Sequence, residues 1–162
     1  MRILISICLL FQLNQGSEPK EISKDGMKIS WSHSGKIVNF KISAPTDGWI
    51  AIGFNPKKGI SDTYLIMARI INNKVEVLEH YTLSPGNYKS LEALGDSNQA
   101  VVINGKESQN KTEIEFSLPI SSKDKYRYDL SPGNSYNLLY AYSQSDDFQH
   151  HSIMRNSCNI KL

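Results

Sequence analysis

Cysteine is the scarcest reactive residue in this chain: Cys8 and Cys158 are the only two among 162 residues. So few cannot build a disulfide-stapled scaffold, so the fold must rest on a hydrophobic core, for which one domain of this length suffices. Long hydrophobic runs are missing too. The longest, ILISICLLF at 3–11, is about half of the ~20 residues that a membrane-crossing helix needs. No charge of one sign dominates, because 18 Lys and Arg stand interspersed against 16 Asp and Glu. Without a basic stripe or basic-aromatic interleaving, nothing in the chain points to nucleic acid or a membrane surface. Enzyme signatures are equally lacking: there is no Gly-rich phosphate loop, no GxSxG, no HExxH and no CxxC. Hydrolytic and transferase chemistry therefore has no foothold, and the four histidines show no zinc-ligand spacing.

What is present begins at the N-terminus. Arg2, the apolar run and the small residues Gly16 and Ser17 read as a secretory signal over 1–17, cleaved near Gly16/Ser17. Asn14 and Gln15 make that cleavage site a poor one. A secreted or periplasmic protein is expected, with no membrane span once the signal is removed. Cys8 leaves with the signal, so Cys158 has no intramolecular partner. A polar linker is expected over 18–26 and a single domain over 27–162.

The domain breaks into short strand-like runs. MKISWSHS places Met27, Ile29 and Trp31 on one face, and KIVNFKIS does the same with Val38, Phe40 and Ile42. GWIAIGF is apolar on both faces, as in a strand buried on both sides. TYLIMARII turns at Asn72-Asn73 and returns as KVEVLEHY; QAVVI, a turn at Asn104-Gly105, TEIEFSLPI, YNLLYAY and NIKL follow. These are nine or ten strands, spaced as in an all-β antiparallel sandwich or barrel. SLEALGD offers one short helical turn. LSPGN occurs at 83–87 and 130–134, and its Pro-Gly suits the centre of a type II turn. Asn110-Lys111-Thr112 matches a glycosylation acceptor, relevant only in a eukaryotic secretory pathway.

The histidines carry the remaining chemistry. His33 reads as a strand-edge side chain and His80 as a surface residue or one packed on Tyr81. His150 and His151 follow YNLLYAY and the loop SQSDDFQ. Read as adjacent residues on a strand, they point to opposite faces and only one can serve a given site. Asp146-Asp147 reads as a solvated loop pair.

GWIAIGFNPKKGISDTYLIMARI, followed far downstream by LLYAYSQSDDFQHHSIMR, resembles the DOMON domain family over about 27–162. The resemblance implies an immunoglobulin-like β-sandwich of the eleven-strand class. In cytochrome members it holds haem b between a Met from a Gly-Met loop and a His near the C-terminus. By position that histidine is His151, four residues before Arg155, with His150 the bystander. The Gly-Met position is held by Gly59-Ile60, and isoleucine has no donor atom. Lys58, Met67 or Met154 could substitute as the second ligand, the iron could keep His151 alone, or the pocket could bind a carbohydrate or a protein instead of haem. Trp49, Phe54 and Tyr142 are the expected pocket walls, with core packing as their alternative, and Asp62 is expected to cap its loop. The implied role is an accessory redox or binding domain, with electron transfer or other haem-linked work, in which any catalysis needs a partner protein.

Overall fold

The computed structural model of the chain describes residues 17–120 and 124–162. Its described elements are the strands β1 (Lys20–Lys24), β2 (Met27–Ser34), β3 (Ile37–Ala44), β4 (Ile50–Asn55), β5 (Thr63–Ile71), β6 (Lys74–Ser84), β7 (Asn87–Ser90), β8 (Val101–Glu107), β9 (Thr112–Pro119), β10 (Ser135–Tyr142) and β11 (Met154–Lys161), with one 3-10 turn at Glu92–Leu94. They form two antiparallel sheets, a five-stranded one in the order β1-β2-β3-β9-β8 and a six-stranded one in the order β11-β10-β4-β5-β6-β7. The all-β sandwich expected from the strand periodicity is therefore what the chain adopts.

Alternation decides what faces what. In β2 and β3 every second side chain, from Met27, Ile29 and Trp31 to Val38, Phe40 and Ile42, is buried between the sheets. From the other sheet come Ile50, Ile52, Phe54, Tyr64, Ile66, Leu138 and Tyr140. Phe40 stands at the centre, 5.5 Å from Phe54 and 5.6 Å from Phe116 between ring centroids. Each such side chain contributes roughly 1.5–3 kcal/mol by leaving water. One end of this core carries a buried ion pair: Arg127 Nε donates to Glu79 Oε1 at 2.6 Å and Nη2 to Oε2 at 3.1 Å. Tyr64 Oη donates to the same carboxylate at 2.5 Å. The Gln99 and Ala100 backbone N–H groups donate to Oε2 as well, so every lone pair has a donor, which is the condition for burying such a charge.

Several local expectations need correction. The stretch expected as a polar linker contains β1, which pairs antiparallel with β2 through backbone bonds that need no apolar face. The expected turn at Asn104-Gly105 lies inside β8, where the register shifts between Val102 and Asn104. Gly105 is there for close approach, since a Cβ would stand 2.6 Å from Val75 Cγ2. The actual hairpin turn is Gln109-Asn110, both at positive φ. Asn72-Asn73 does turn as expected, with φ of 51° and 61°. His33 does stand near the end of β2 on the face of Trp31, but its ring is buried, with Nε2 2.9 Å from the Leu130 carbonyl. The secretory signal expected over 1–17 lies outside the described residues except for Ser17.

Candidate functional site

The six-stranded sheet has a second face, turned away from the core, and its residues are small where the inner ones are large. Across the strands Ala141, Ala51 and Met67 stand in one row, and Leu139, Gly53 and Leu65 in the next. Alanine and glycine in mid-sheet leave a flat trough, bordered by the apolar side chains of Leu65, Met67 and Leu139. This is why GWIAIGF is buried on both faces: Ile50, Ile52 and Phe54 enter the sandwich core, while Trp49, Ala51 and Met67 join Phe148 in a second cluster.

Phe148 belongs to the segment 143–153, which joins β10 to β11 and covers the trough. Gly48 permits that cover, because a Cβ there would meet the Ser143 carbonyl oxygen and the Ser145 nitrogen, each at 2.5 Å. The Trp49 backbone consequently bonds to Ser143 and Ser145. Side chains pin the rest. Arg69 Nη1 donates to the Asp146 carbonyl at 2.7 Å, and its guanidinium lies 4.4 Å from the Phe148 ring centroid. Tyr88 Oη donates to the Phe148 carbonyl. His80 packs edge-on against both Tyr88 and Phe148, each at 5.8 Å. It is thus buried on the outer face, not placed on Tyr81, which alternation sends the other way. Burial lowers its pKa below the usual imidazole value and raises that of Asp146. Asp146 is correspondingly not a solvated loop acid; its Oδ1 is buried without a partner.

Between cover and trough lies a cavity of about 160 Å³, lined by Trp49, Ala51, Ile60, Leu65, Met67, Tyr88, Leu139, Ala141, His150, His151 and Arg155, among others. Both histidines reach it because neither is on a strand: β11 begins only at Met154, so alternation does not separate them. The ring of His150 is oriented, with Nδ1 3.1 Å from the His151 carbonyl oxygen and 3.4 Å from Ser143 Oγ. A proton on Nδ1 directed at that carbonyl leaves Nε2 with its lone pair free, the usual arrangement of a metal-bound imidazole. The His151 ring has no hydrogen bond among the described residues.

The other expected site residues separate cleanly. Trp49, Ile60 and Met67 line the cavity. Phe54 does not; it is five positions from Trp49, an odd number, and lies fully buried in the inter-sheet core. Tyr142 and Met154 are paired across β10 and β11 and pack on that same core side. Lys58 is exposed and borders a neighbouring depression with Tyr81 and Tyr128. Asp62 does hold its loop, accepting from Tyr81 Oη at 3.2 Å and, through its carbonyl, from Tyr128 Oη at 2.6 Å. Leu139 and Ala141 went unnoticed in the sequence, although their alternation with Leu138 and Tyr140 already set them on the other face.

The residues present suit a large, planar, partly apolar group with acidic substituents. The trough is flat and apolar. The Trp49 indole N–H is buried with no acceptor, and Arg155 has no carboxylate partner among the described residues. Two imidazoles stand at the rim. The enclosed volume falls below the roughly 300–1,000 Å³ of common small-molecule pockets, so a tetrapyrrole would extend to the open mouth.

A family model for the DOMON domain matches residues 23–143, ending just before the segment that carries the histidines. Two solved structures have a similar fold. One is the cytochrome b domain of pyranose dehydrogenase from Coprinopsis cinerea, at a TM-score of 0.63 and 7% identity over 87% of this chain and 80% of that one. The other is the cytochrome domain of Myriococcum thermophilum cellobiose dehydrogenase, at 0.60 and 8% over 89% and 81%. At those identities the likeness establishes the fold alone.

Proposed function

The chain belongs to the DOMON domain family, and from that premise we propose that its outer-face cavity binds haem b through the 150–151 histidine pair, as an exported accessory redox domain. The observation that carries this reading is the convergence of both imidazoles on an apolar trough that also holds an unsatisfied indole N–H and an uncompensated guanidinium. Resemblance to two cytochrome domains supports it.

Each residue then has a task. Ala51, Gly53 and Ala141 keep the floor low enough for a flat ring, and Leu139, Leu65 and Met67 exclude water beside it. Trp49 Nε1 and Arg155 offer hydrogen bonds and charge to carboxylates. An imidazole nitrogen of the pair would hold the iron: spacing to Arg155 nominates His151, and the hydrogen bond on Nδ1 favours His150. Bound haem would supply one-electron redox chemistry. A separate protein would supply or accept the electrons. Export through the signal at 1–17 belongs to the same proposal, and N-terminal sequencing of secreted protein should begin at or near Ser17.

The test is an absorption spectrum of the chain purified with haem supplied. A Soret band is expected, lost in His150→Ala if that ring is the ligand and in His151→Ala if the other is. If neither the wild type nor a haem-titrated sample shows the band, the haem reading fails. The second reading, a carbohydrate- or protein-binding module, is favoured by Ile60, which puts an inert side chain where cytochrome members carry a sulfur.

A further inference from the structure

We propose that haem in this cavity has no protein ligand on its second axial side, so that the site binds a neutral diatomic molecule of the π-acceptor class. This rests on the haem reading above and concerns what Ile60 and its neighbours do to it. Two axial protein ligands make a closed electron-transfer centre, whereas one leaves the iron open to an external ligand.

The loop between β4 and β5 is not free to offer another donor. Asn55, itself 1% exposed, donates through Nδ2 to the Ser61 carbonyl at 2.7 Å and to Thr63 Oγ1 at 3.0 Å. Thr63 Oγ1 donates in turn to the Ile60 carbonyl at 2.7 Å, and Lys57 N donates to Asn55 Oδ1 at 2.8 Å. These bonds fix the loop with Ile60 against the cavity and Lys58 exposed outside it. To reach the cavity the Lys58 amine would have to leave water and shed its proton.

Neither methionine replaces the sulfur. Met154 packs on the core side of the sheet, one strand-width from the cavity's own Ala141 but on the opposite face. Met67 lines the cavity floor, yet it sits in mid-strand between Ala51 and Leu78. At 2% exposure it is packed into the cluster of Trp49, Ala51 and Phe148. A floor residue held in a ladder on both sides cannot rise as a loop residue can. His150 and His151 are adjacent in the chain and reach the cavity from the same segment, so with one of them on the iron the opposite side faces the branched hydrocarbon of Ile60, which excludes water and leaves room for a small uncharged ligand.

Carbon monoxide added to the reduced, haem-loaded chain is the test. The wild type should be high-spin and five-coordinate when ferrous, and should convert fully to a carbonyl spectrum. Ile60→Met should restore a low-spin, six-coordinate spectrum and weaken carbon monoxide binding by about tenfold or more, because the internal sulfur then competes for the open state. A low-spin wild-type spectrum that resists carbon monoxide overturns the inference while leaving the haem reading intact. If Met67→Leu then opens the iron, Met67 is the missing sulfur; if His150→Ala or His151→Ala does so with haem retained, the second imidazole is the ligand. A sample without any haem absorbance overturns both proposals together.

Discussion

The two faces of the six-stranded sheet are built by the same strands and do opposite things. Inward, β4 and β10 present Ile50, Ile52, Phe54, Leu138 and Tyr140, all buried against the partner sheet. Outward, the same strands present Ala51, Gly53, Leu139 and Ala141. The inner face is filled to the density of a protein interior, where each large side chain adds stability. The outer face is kept shallow and is roofed by a loop rather than by a sheet. Stability and binding are thus divided by residue parity: a substitution one position along moves an experiment from one property to the other.

The sharpest break of this division is expected at Phe54. Its ring has no exposed surface and touches Phe40, Tyr64 and Tyr136. Phe54→Ala should cost about 3–5 kcal/mol, the usual range for a large buried ring replaced by a cavity. The urea midpoint measures it. A loss below about 1 kcal/mol would mean that the two faces are not energetically distinct.

The reciprocal change is Ala141→Leu on the outer face. It should leave stability within about 1 kcal/mol, because the cavity is open enough to take the added carbons. Haem retention should nevertheless fall by about tenfold or more, since ~1.4 kcal/mol of lost contact is already that factor. Equilibrium haem titration beside a denaturation curve would show whether binding moves while stability does not.

A smaller effect belongs to the roof. Tyr88→Phe removes the hydroxyl that donates to the Phe148 carbonyl and should cost about 0.5–1.5 kcal/mol. Because the bond ties β7 to the segment 143–153, faster amide exchange should appear there and not in β4. Uniform acceleration across the sheet would show instead that roof and sheet open as one unit.

How much of this was legible beforehand depended on whether a rule was local. Alternation in MKISWSHS and KIVNFKIS, and the Asn72-Asn73 turn, need only neighbours in the chain to be read. β1 escaped because KEISK carries a single apolar residue, Ile22, too few to show alternation, and its pairing with β2 is largely a backbone matter. Gly105 imitated a turn because its reason, the approach of Val75, lies about thirty residues away. The histidine pair was misjudged for a different cause: alternation is a law of strands, and residues 150 and 151 are in a loop. Phe54 was grouped with Trp49 by motif although an odd separation on one strand sets two side chains apart. The Glu79–Arg127 pair, separated by 48 positions, had no signature at all.

The mildest probe of the boundary between roof and sheet is pH, acting through His80. Its ring is wedged between Tyr88 and Phe148, and burial holds its pKa below the ordinary 6.5 despite the bond from Nδ1 to the Leu78 carbonyl. The unfolded chain therefore takes up this proton at a pH where the folded chain still refuses it. More protons bound by the unfolded state means that stability falls as pH falls, starting near the ordinary value and ending once the folded ring has itself been protonated. Above that window His80 contributes no slope. Tyr88, whose pKa burial raises, does not titrate there. Asp146 and Glu107 have raised values as well, so their protonation opposes the trend at more acidic pH. Urea midpoints measured at about pH 5.5 and about pH 7.5 should therefore differ in the wild type and converge in His80→Leu, which keeps the apolar contact without the titrating group. An unchanged difference in that variant would assign the slope to other groups and leave the edge-on packing of His80 as its whole role in holding the roof down.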